Sequence, residues 1–459
     1  MPQSEVRMRE NAVARADIRV FDDGTGQMKL RVLLVNPWIY DFAAANLWAK
    51  PLGLLKVAEC LSRFDVHIAF VDCMDAGATG NCRGGKYPKE IIQKPDCLRA
   101  IPRRYGRYGI TTERFRNLLA ETGHFDIVFI TSIMSYWYPG VQRAIEVIRE
   151  VRRDVPVILG GIYATLWPGH ASSCSGADFV YKGPVSEELR FVLATFGYRT
   201  EETAKPIPWY RLGLYREFAF APLLTSRGCP FRCSYCASGL LSSDFMQNDP
   251  AEAVDVIREL HTKGTRDFAF YDDALLVNTD RHIKVLLREV LKLGIDARFH
   301  CPNGLHARFI DEELAGLMKI AGFRTVRLAL ETADSEKQDI TGGKVTSDDL
   351  RRAIRLLKKQ GFTKKDIGVY LMYGLPGQAL EEVKAGVGLL KSLDVRIHLA
   401  EFSPIPGTQA WNGLVEGGTI TNDIDPLLTN NTVFTLLYSG YSSQKLEALK
   451  QDVKEFNCE

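Results

Sequence analysis

From residue 30 onward the chain alternates two hydrophobic patterns. Short, nearly continuous apolar runs at 30–35, 66–71, 126–131, 156–159 and 177–181 read as strands buried on both faces. Between them, apolar residues return every three or four positions over 52–62, 112–122, 140–152 and 186–196, the spacing of helices with one buried stripe. Five strands spaced in this way predict a parallel sheet covered on both sides, an α/β domain of flavodoxin-like, doubly wound form over residues 29–199. A ligand of such a sheet belongs at the carboxyl ends of the strands. The turns there include Asn36-Pro37-Trp38, Thr131-Ser132, Gly160-Gly161 and Lys182-Gly183-Pro184. Gly160 and Gly161 let a flat ligand approach the backbone, and Thr131 and Ser132 can donate to its polar edge. The plainer alternative is that the two glycines only turn the chain. The GxGxxG fingerprint is absent, which disfavours a nicotinamide cofactor.

Residues 1–28 read as a polar leader, and 200–216, with Pro206 and Pro208, as a linker. The stretch 73–110 is long, irregular and basic, with Cys73, Cys82, Cys97 and Arg99, Arg103, Arg104 and Arg107. Loops of that length are usually functional, so it is read as a lid or a contact with the second domain, against a solvated basic loop. The strand–helix alternation then resumes over 217–409. Strands are predicted at 221–224, 267–271, 297–301, 325–330, 367–373 and 395–402, with helices at 251–263, 281–292, 311–321, 348–360 and 381–393. Asp249-Pro250 supplies an N-cap and a first-turn proline. Residues 410–459 are a cap, helical or irregular.

Directly after the strand at 221–224 comes Cys229-Pro230-Phe231-Arg232-Cys233-Ser234-Tyr235-Cys236, a C-x3-C-x2-C array. Thiolates at this density are metal ligands far more often than packing residues. A closed zinc site wants four ligands, and no fourth Cys or His follows nearby. Three thiolates on a [4Fe–4S] cluster leave one iron open to chelate a small molecule. Gly228 and Pro230 let the loop curl, and Tyr235 can shield the cluster.

This loop resembles the radical S-adenosylmethionine (SAM) enzymes, whose C-x3-C-x-aromatic-C motif is matched by Cys229, Cys233, Tyr235 and Cys236. The resemblance implies that SAM chelates the open iron and is reductively cleaved to a 5′-deoxyadenosyl radical. It also implies a partial (β/α)6 TIM-type barrel, with an interior otherwise filled by branched apolar side chains. SAM-binding groups would then gather at the strand ends: Asp272 and Asp273 after the second strand, Glu331 after the fourth, and Gly374, Pro376 and Gly377 after the fifth. Ser403 to Thr408 would form a further wall. Helix capping by the Asp pair and an outward-facing Glu331 are the alternatives. Cys301, His300 and His306 read as structural, Asn303 as a polar contact, and Tyr271, Tyr370 and Tyr373 as lining or packing.

With a five-stranded domain in front, the chain resembles the cobalamin-dependent branch of that family. One departure is that Asp41 is followed by Phe42-Ala43 with no histidine in the loop, so the resemblance implies a cobalamin without a lower histidine ligand. Flavin, or an inherited fold with no ligand, stays open. The implied reaction is methyl transfer to an unactivated carbon of a small-molecule substrate, fed by a flavodoxin- or ferredoxin-type electron donor. The alternatives are radical rearrangement, cyclisation or methylthio transfer with the first domain as scaffold, or a non-catalytic cluster or cobalamin sensor.

Composition changes this picture little. The chain has 459 residues, 46% hydrophobic and 25% charged, with a net charge of +2. That is an ordinary globular balance with no call for nucleic acid or a membrane surface. Ten cysteines, seven of them scattered, argue against a secreted disulfide framework and for a reducing cytoplasm, in an anaerobic setting if the cluster is exposed.

Overall fold

The computed structural model describes residues 29–75, 86–185, 188–202, 204–333, 338 and 345–458. The leader 1–28, Gly77, Gly80, Cys82, Gly84, Gly85 and the first two residues of the helix expected at 186–196 lie outside the described residues.

The first sheet is built from β1 (Leu30–Asn36), β2 (Val66–Asp72), β3 (Ile127–Ser132), β4 (Val157–Gly161) and β5 (Phe179–Val180). All neighbours are parallel and the spatial order is β2-β1-β3-β4-β5, the flavodoxin-like order. Alternate residues of β1 and β3 feed two separate cores. Val32, Leu34, Ile127 and Phe129 pack with Leu54, Ala58, Leu61 and Leu193. Leu33, Val35, Val128 and Ile130 pack with Phe115, Val141 and Ile148 on the opposite face. Each such side chain contributes about 1.5–3 kcal/mol of burial, which is why these strands read as continuous apolar runs.

Within the stretch 73–110, the described residues 86–110 are more ordered than the sequence suggests. Lys89–Ile91 and Gly106–Tyr108 form a small antiparallel sheet with Ile39–Asp41. Leu98 and Ile101 are buried in the same core as cap residues Trp411 and Phe434, and Arg103 pairs with Glu447 at 3.6 Å. The segment is therefore a contact with the C-terminal part. The stretch 200–216 is packed as well, with Trp209 and Tyr215 buried beside Leu55.

The second sheet comprises β6 (Phe220–Leu223), β7 (Asp267–Phe270), β8 (Arg298–Leu305), β9 (Phe323–Leu330), β10 (Ile367–Tyr373) and β11 (Arg396–Glu401). They run parallel in sequential order, and β6 and β11 each have one neighbour, so the sheet is an open, partial barrel. Helices Pro250–Thr262, Ile283–Lys292, Glu312–Ile320, Ser347–Lys359 and Leu380–Ser392 cover its outer face. Asp249 caps the first of them, accepting from Ala251 N at 2.9 Å.

The inner face departs from the expected apolar filling. Phe268, Phe299, Val326, Leu328, Val369 and Leu371 belong to the outer core, so the alternating residues Asp267, His300, Thr325, Arg327, Tyr370 and His398 face inward. Part of that space is taken by Trp48, from the loop after β1, whose ring stacks on His300 at 3.9 Å. Tyr271 donates from its hydroxyl to Leu47 O at 2.5 Å. A loop of the first domain thus plugs one side of the barrel.

The cap consists of Gln409–Glu416, Asn431–Tyr438 and Ser443–Cys458. Its first part joins the core of the first domain through Trp411, Leu414, Val433 and Phe434. The last helix covers the barrel with Leu446, Leu449 and Val453.

Candidate active site

The three thiols of Cys229, Cys233 and Cys236 sit on one loop between β6 and the helix Ser238–Leu241. A turn holds them together: Cys236 N donates to Cys233 O at 3.1 Å. Ser238 N lies 3.5 Å from Cys236 Sγ, and the Ser238 hydroxyl lies 3.3 Å from it. Both can donate to that sulfur once it is a thiolate. Among the described residues no three His, Cys, Asp or Glu side chains gather as ligands of one metal ion.

The loop is fixed from three directions. Asp272, 3% exposed, accepts through Oδ1 from Thr225 N at 2.9 Å, Thr225 Oγ1 at 2.8 Å and Ser226 Oγ at 2.6 Å. Burial pushes its carboxyl up to about 6, against the hydrogen bonds from Ser226 and Thr225 that hold it down. Asp273 is exposed and accepts from Ser238 Oγ at 2.9 Å, two residues past Cys236. The adjacent carboxylates thus brace opposite ends of the thiol loop and cap no helix. Tyr235 donates to Glu331 Oε1 at 2.7 Å, joining the loop to the end of β9, and Glu331 is only 5% exposed. Burial and the nearby Glu331 carboxylate hold the Tyr235 phenol far above its ordinary pKa, so it stays a donor. Phe231, also in the loop, stacks on His306 at 4.6 Å.

Gly374, Pro376 and Gly377 form the turn after β10, backed by the cap: Gly374 N donates to the Tyr441 hydroxyl at 3.3 Å, which donates on to Gln378 O at 3.0 Å. Pro376 and Gly377 are exposed. Cys301 is buried in the outer core, and burial pushes its thiol up, so it is structural. Asn303 donates to Tyr271 O at 3.0 Å, and Tyr370 donates to Pro302 O at 2.7 Å.

At the carboxyl end of the first sheet, Thr131 pairs in register with Gly160, and Ser132 with Gly161. Gly161 has φ +92, and a Cβ there would lie 2.6 Å from Thr131 Oγ1 and 2.8 Å from Ser132 O. Ser132 donates its hydroxyl to Met134 O at 2.9 Å. The turn thus demands glycine at 161 and engages the Ser132 hydroxyl. Gly160 is different, since nothing lies within 4 Å of its missing side chain. Asp41 is committed to the fold, accepting from Trp137 Nε1 at 2.7 Å and from Asn430 of the cap at 3.0 Å.

The two candidate regions meet. The helix Ile162–Leu166, which opens at Gly161, packs against the helix Ser238–Leu241 that leaves the thiol loop. Beside this junction a cavity of about 600 Å³ is lined by Trp167, His170, Trp411 and Asp423. The sequence did not single out this junction, nor Trp48, Arg327, Arg396 or His398 on the barrel's inner face.

Residues 223–389 match the family described as the Radical SAM superfamily. An uncharacterized methyltransferase of Pyrococcus horikoshii is 26% identical over 367 residues, 69% of this chain and 78% of that protein. Among solved structures, the radical SAM methyltransferase TsrM of Kitasatospora setae superposes with a TM-score of 0.63 at 21% identity, covering 86% of this chain and 79% of that one. TsrM has been solved with cobalamin and a [4Fe–4S] cluster bound. The cobalamin-dependent radical SAM enzyme OxsB superposes at 0.55 and 13% identity, covering 93% of this chain and 62% of its own. At these identities the two superpositions establish the shared fold: a doubly wound domain, a partial barrel and a cap.

Proposed function

We propose that this chain, with its radical SAM domain at residues 223–389, is a cobalamin-dependent radical SAM enzyme that methylates an unactivated carbon of a small molecule. When bound, the [4Fe–4S] cluster supplies the electron that cleaves SAM to a 5′-deoxyadenosyl radical, and cobalamin supplies the methyl group. The observation that carries the reading is the junction of the thiol loop with the carboxyl end of the first sheet, through Ile162–Leu166 and Ser238–Leu241. Two cofactors that act on one carbon must lie that close.

The chain's own residues would hold and enclose. Cys229, Cys233 and Cys236 ligate three irons. Asp272 and Asp273 keep the loop curled from its two ends. Glu331, oriented by Tyr235, offers its free oxygen to the ribose hydroxyls of SAM, while Gly374, Pro376 and Gly377 flank the adenine. Gly160 gives the corrin plane a surface without a side chain. The Trp48 loop and the cap exclude water. Among the described residues no helix is long and apolar enough to cross a membrane. The reading includes a reducing cytoplasm and a flavodoxin- or ferredoxin-type electron donor.

The test is anaerobic reconstitution with iron, sulfide and cobalamin, then incubation with SAM and dithionite. Reductant-dependent 5′-deoxyadenosine, with S-adenosylhomocysteine appearing only when cobalamin is present, is expected. 5′-Deoxyadenosine alone would favour a rearrangement or cyclisation, and neither product would leave a sensor.

A further inference from the structure

One rung of the barrel's inner face is chemically unbalanced. Arg327 on β9, Gly368 on β10 and Arg396 on β11 are direct register partners. Residues in register across parallel strands point to the same face, so two arginines flank a residue with no side chain. A Cβ on Gly368 would lie 2.7 Å from Arg327 Nη1 and 2.7 Å from His398 Nε2. The guanidinium and the imidazole therefore meet over the glycine.

Elsewhere in the interior, charge is matched. Asp267 accepts from Arg298 at 2.5 and 2.6 Å and from His300 at 3.1 Å. Among the described residues neither Arg327 nor Arg396 has an ion pair, and the groups acting on Arg327 are burial, Tyr370, Arg396 and Cys301, with no carboxylate. It reaches neutral acceptors, Asp366 O at 3.5 Å and the Tyr370 hydroxyl, and neither neutralises its charge. His398 Nε2 is buried with no hydrogen-bond partner among the described residues. Burial and the two arginines hold that imidazole neutral, down to about 4. Cations gathered in a partly desolvated space without an anion are unfavourable, and groups perturbed by burial and by one another beside a cleft are candidates for a ligand site. Arg396 and His398 also line a cavity of about 580 Å³ at the unpaired edge of β11, together with Lys450 and Lys454, so the rung is reachable from the barrel's open side.

We propose that the substrate carries an oxyanion, carboxylate or phosphate, received inside the barrel by Arg327 and Arg396 with His398 completing the cradle. The rung lies four residues before Glu331 on the same strand, roughly 13 Å at the rise of a strand. A small molecule held there by its anionic end extends toward the strand ends where the thiol loop lies. This inference rests on the proposed function only in calling the ligand a substrate. Anion binding itself needs no cluster, SAM or cobalamin, so the two can fail separately.

The test is thermal unfolding of the purified chain at constant ionic strength, in chloride and with added sodium phosphate or sodium acetate. Phosphate or acetate is expected to raise the Tm by about 2–4 °C, and the effective anion identifies the group. Arg327→Met and Arg396→Gln should each abolish the rise. Arg327→Met itself is expected to melt at or above the unsubstituted chain, because an unmatched buried charge has been removed. An absent response, or one of equal size in both variants, overturns the proposal, as does a lowered Tm in Arg327→Met with the anion response intact. Should that variant fail to fold, the His398 imidazole resonance of the unsubstituted chain decides: movement on anion addition supports the cradle and no movement overturns it.

Discussion

The two parallel sheets use their faces in opposite ways. In the first, alternate residues of β1 and β3 enter two apolar cores, so polar chemistry is confined to the rim at the carboxyl ends. In the second, the outer face is apolar while the inner face carries Asp267, His300, Arg327, Tyr370 and His398. A sheet with both faces covered presents a ligand only with turns and bare backbone, which suits a large planar cofactor. A sheet curled around a polar interior can present side chains at several depths, which suits a small substrate below its cofactor.

The strongest way to break this contrast is at the bottom of the barrel. Asp267→Asn removes the charge facing Arg298 and the buried His300 together with one of the two acceptor oxygens, and should cost about 2–4 kcal/mol, read by denaturant unfolding. Burial alone would raise the Asp267 carboxyl, but Arg298 and His300 hold it well below its ordinary value. A depressed carboxylate contributes stability above its unfolded pKa of about 4 and loses it as pH falls through the folded value. The gap between the two proteins should therefore shrink below pH 4. A gap that widens there would mean the inner face is not a charge-matched strut.

On the first sheet the same substitution at adjacent residues should part ways. Gly161→Ala meets a left-handed backbone and the Thr131 hydroxyl and should cost about 1–3 kcal/mol. Gly160→Ala meets open space and should leave stability within about 0.5 kcal/mol while weakening cobalamin binding measured by spectral titration. Unchanged cobalamin affinity in Gly160→Ala would detach the cofactor from this rim.

Most of the architecture was legible in the sequence because period and length specify it: every strand of the two parallel sheets except β5 runs four to eight residues, and the helices on the barrel's outer face run nine to thirteen. The thiol loop was legible because C-x3-C-x2-C leaves few other uses for three sulfurs. The barrel's interior was missed although its signal was present. Thr325-Val326-Arg327-Leu328-Ala329-Leu330 alternates with period two, the mark of a strand with one face out of the apolar core, against the apolar filling that the family resemblance implies. Arg327 and Arg396 lie 69 positions apart, and only register brings them together. The fate of Asp272 was hidden for a similar reason, since its partners Thr225 and Ser226 belong to a neighbouring strand end. The order within 86–110 comes from the small sheet formed with Ile39–Asp41, which no local pattern announces.

The central claim is that three thiolates of one loop hold a cubane with a free corner. The most direct measurement is iron and sulfide content after anoxic reconstitution, with electron paramagnetic resonance of the reduced protein before and after SAM. The account predicts about four iron and four sulfide per chain, a signal that changes when SAM is added, and loss of both in Cys233→Ala. Stoichiometric zinc in place of iron, or a signal indifferent to SAM, would contradict it.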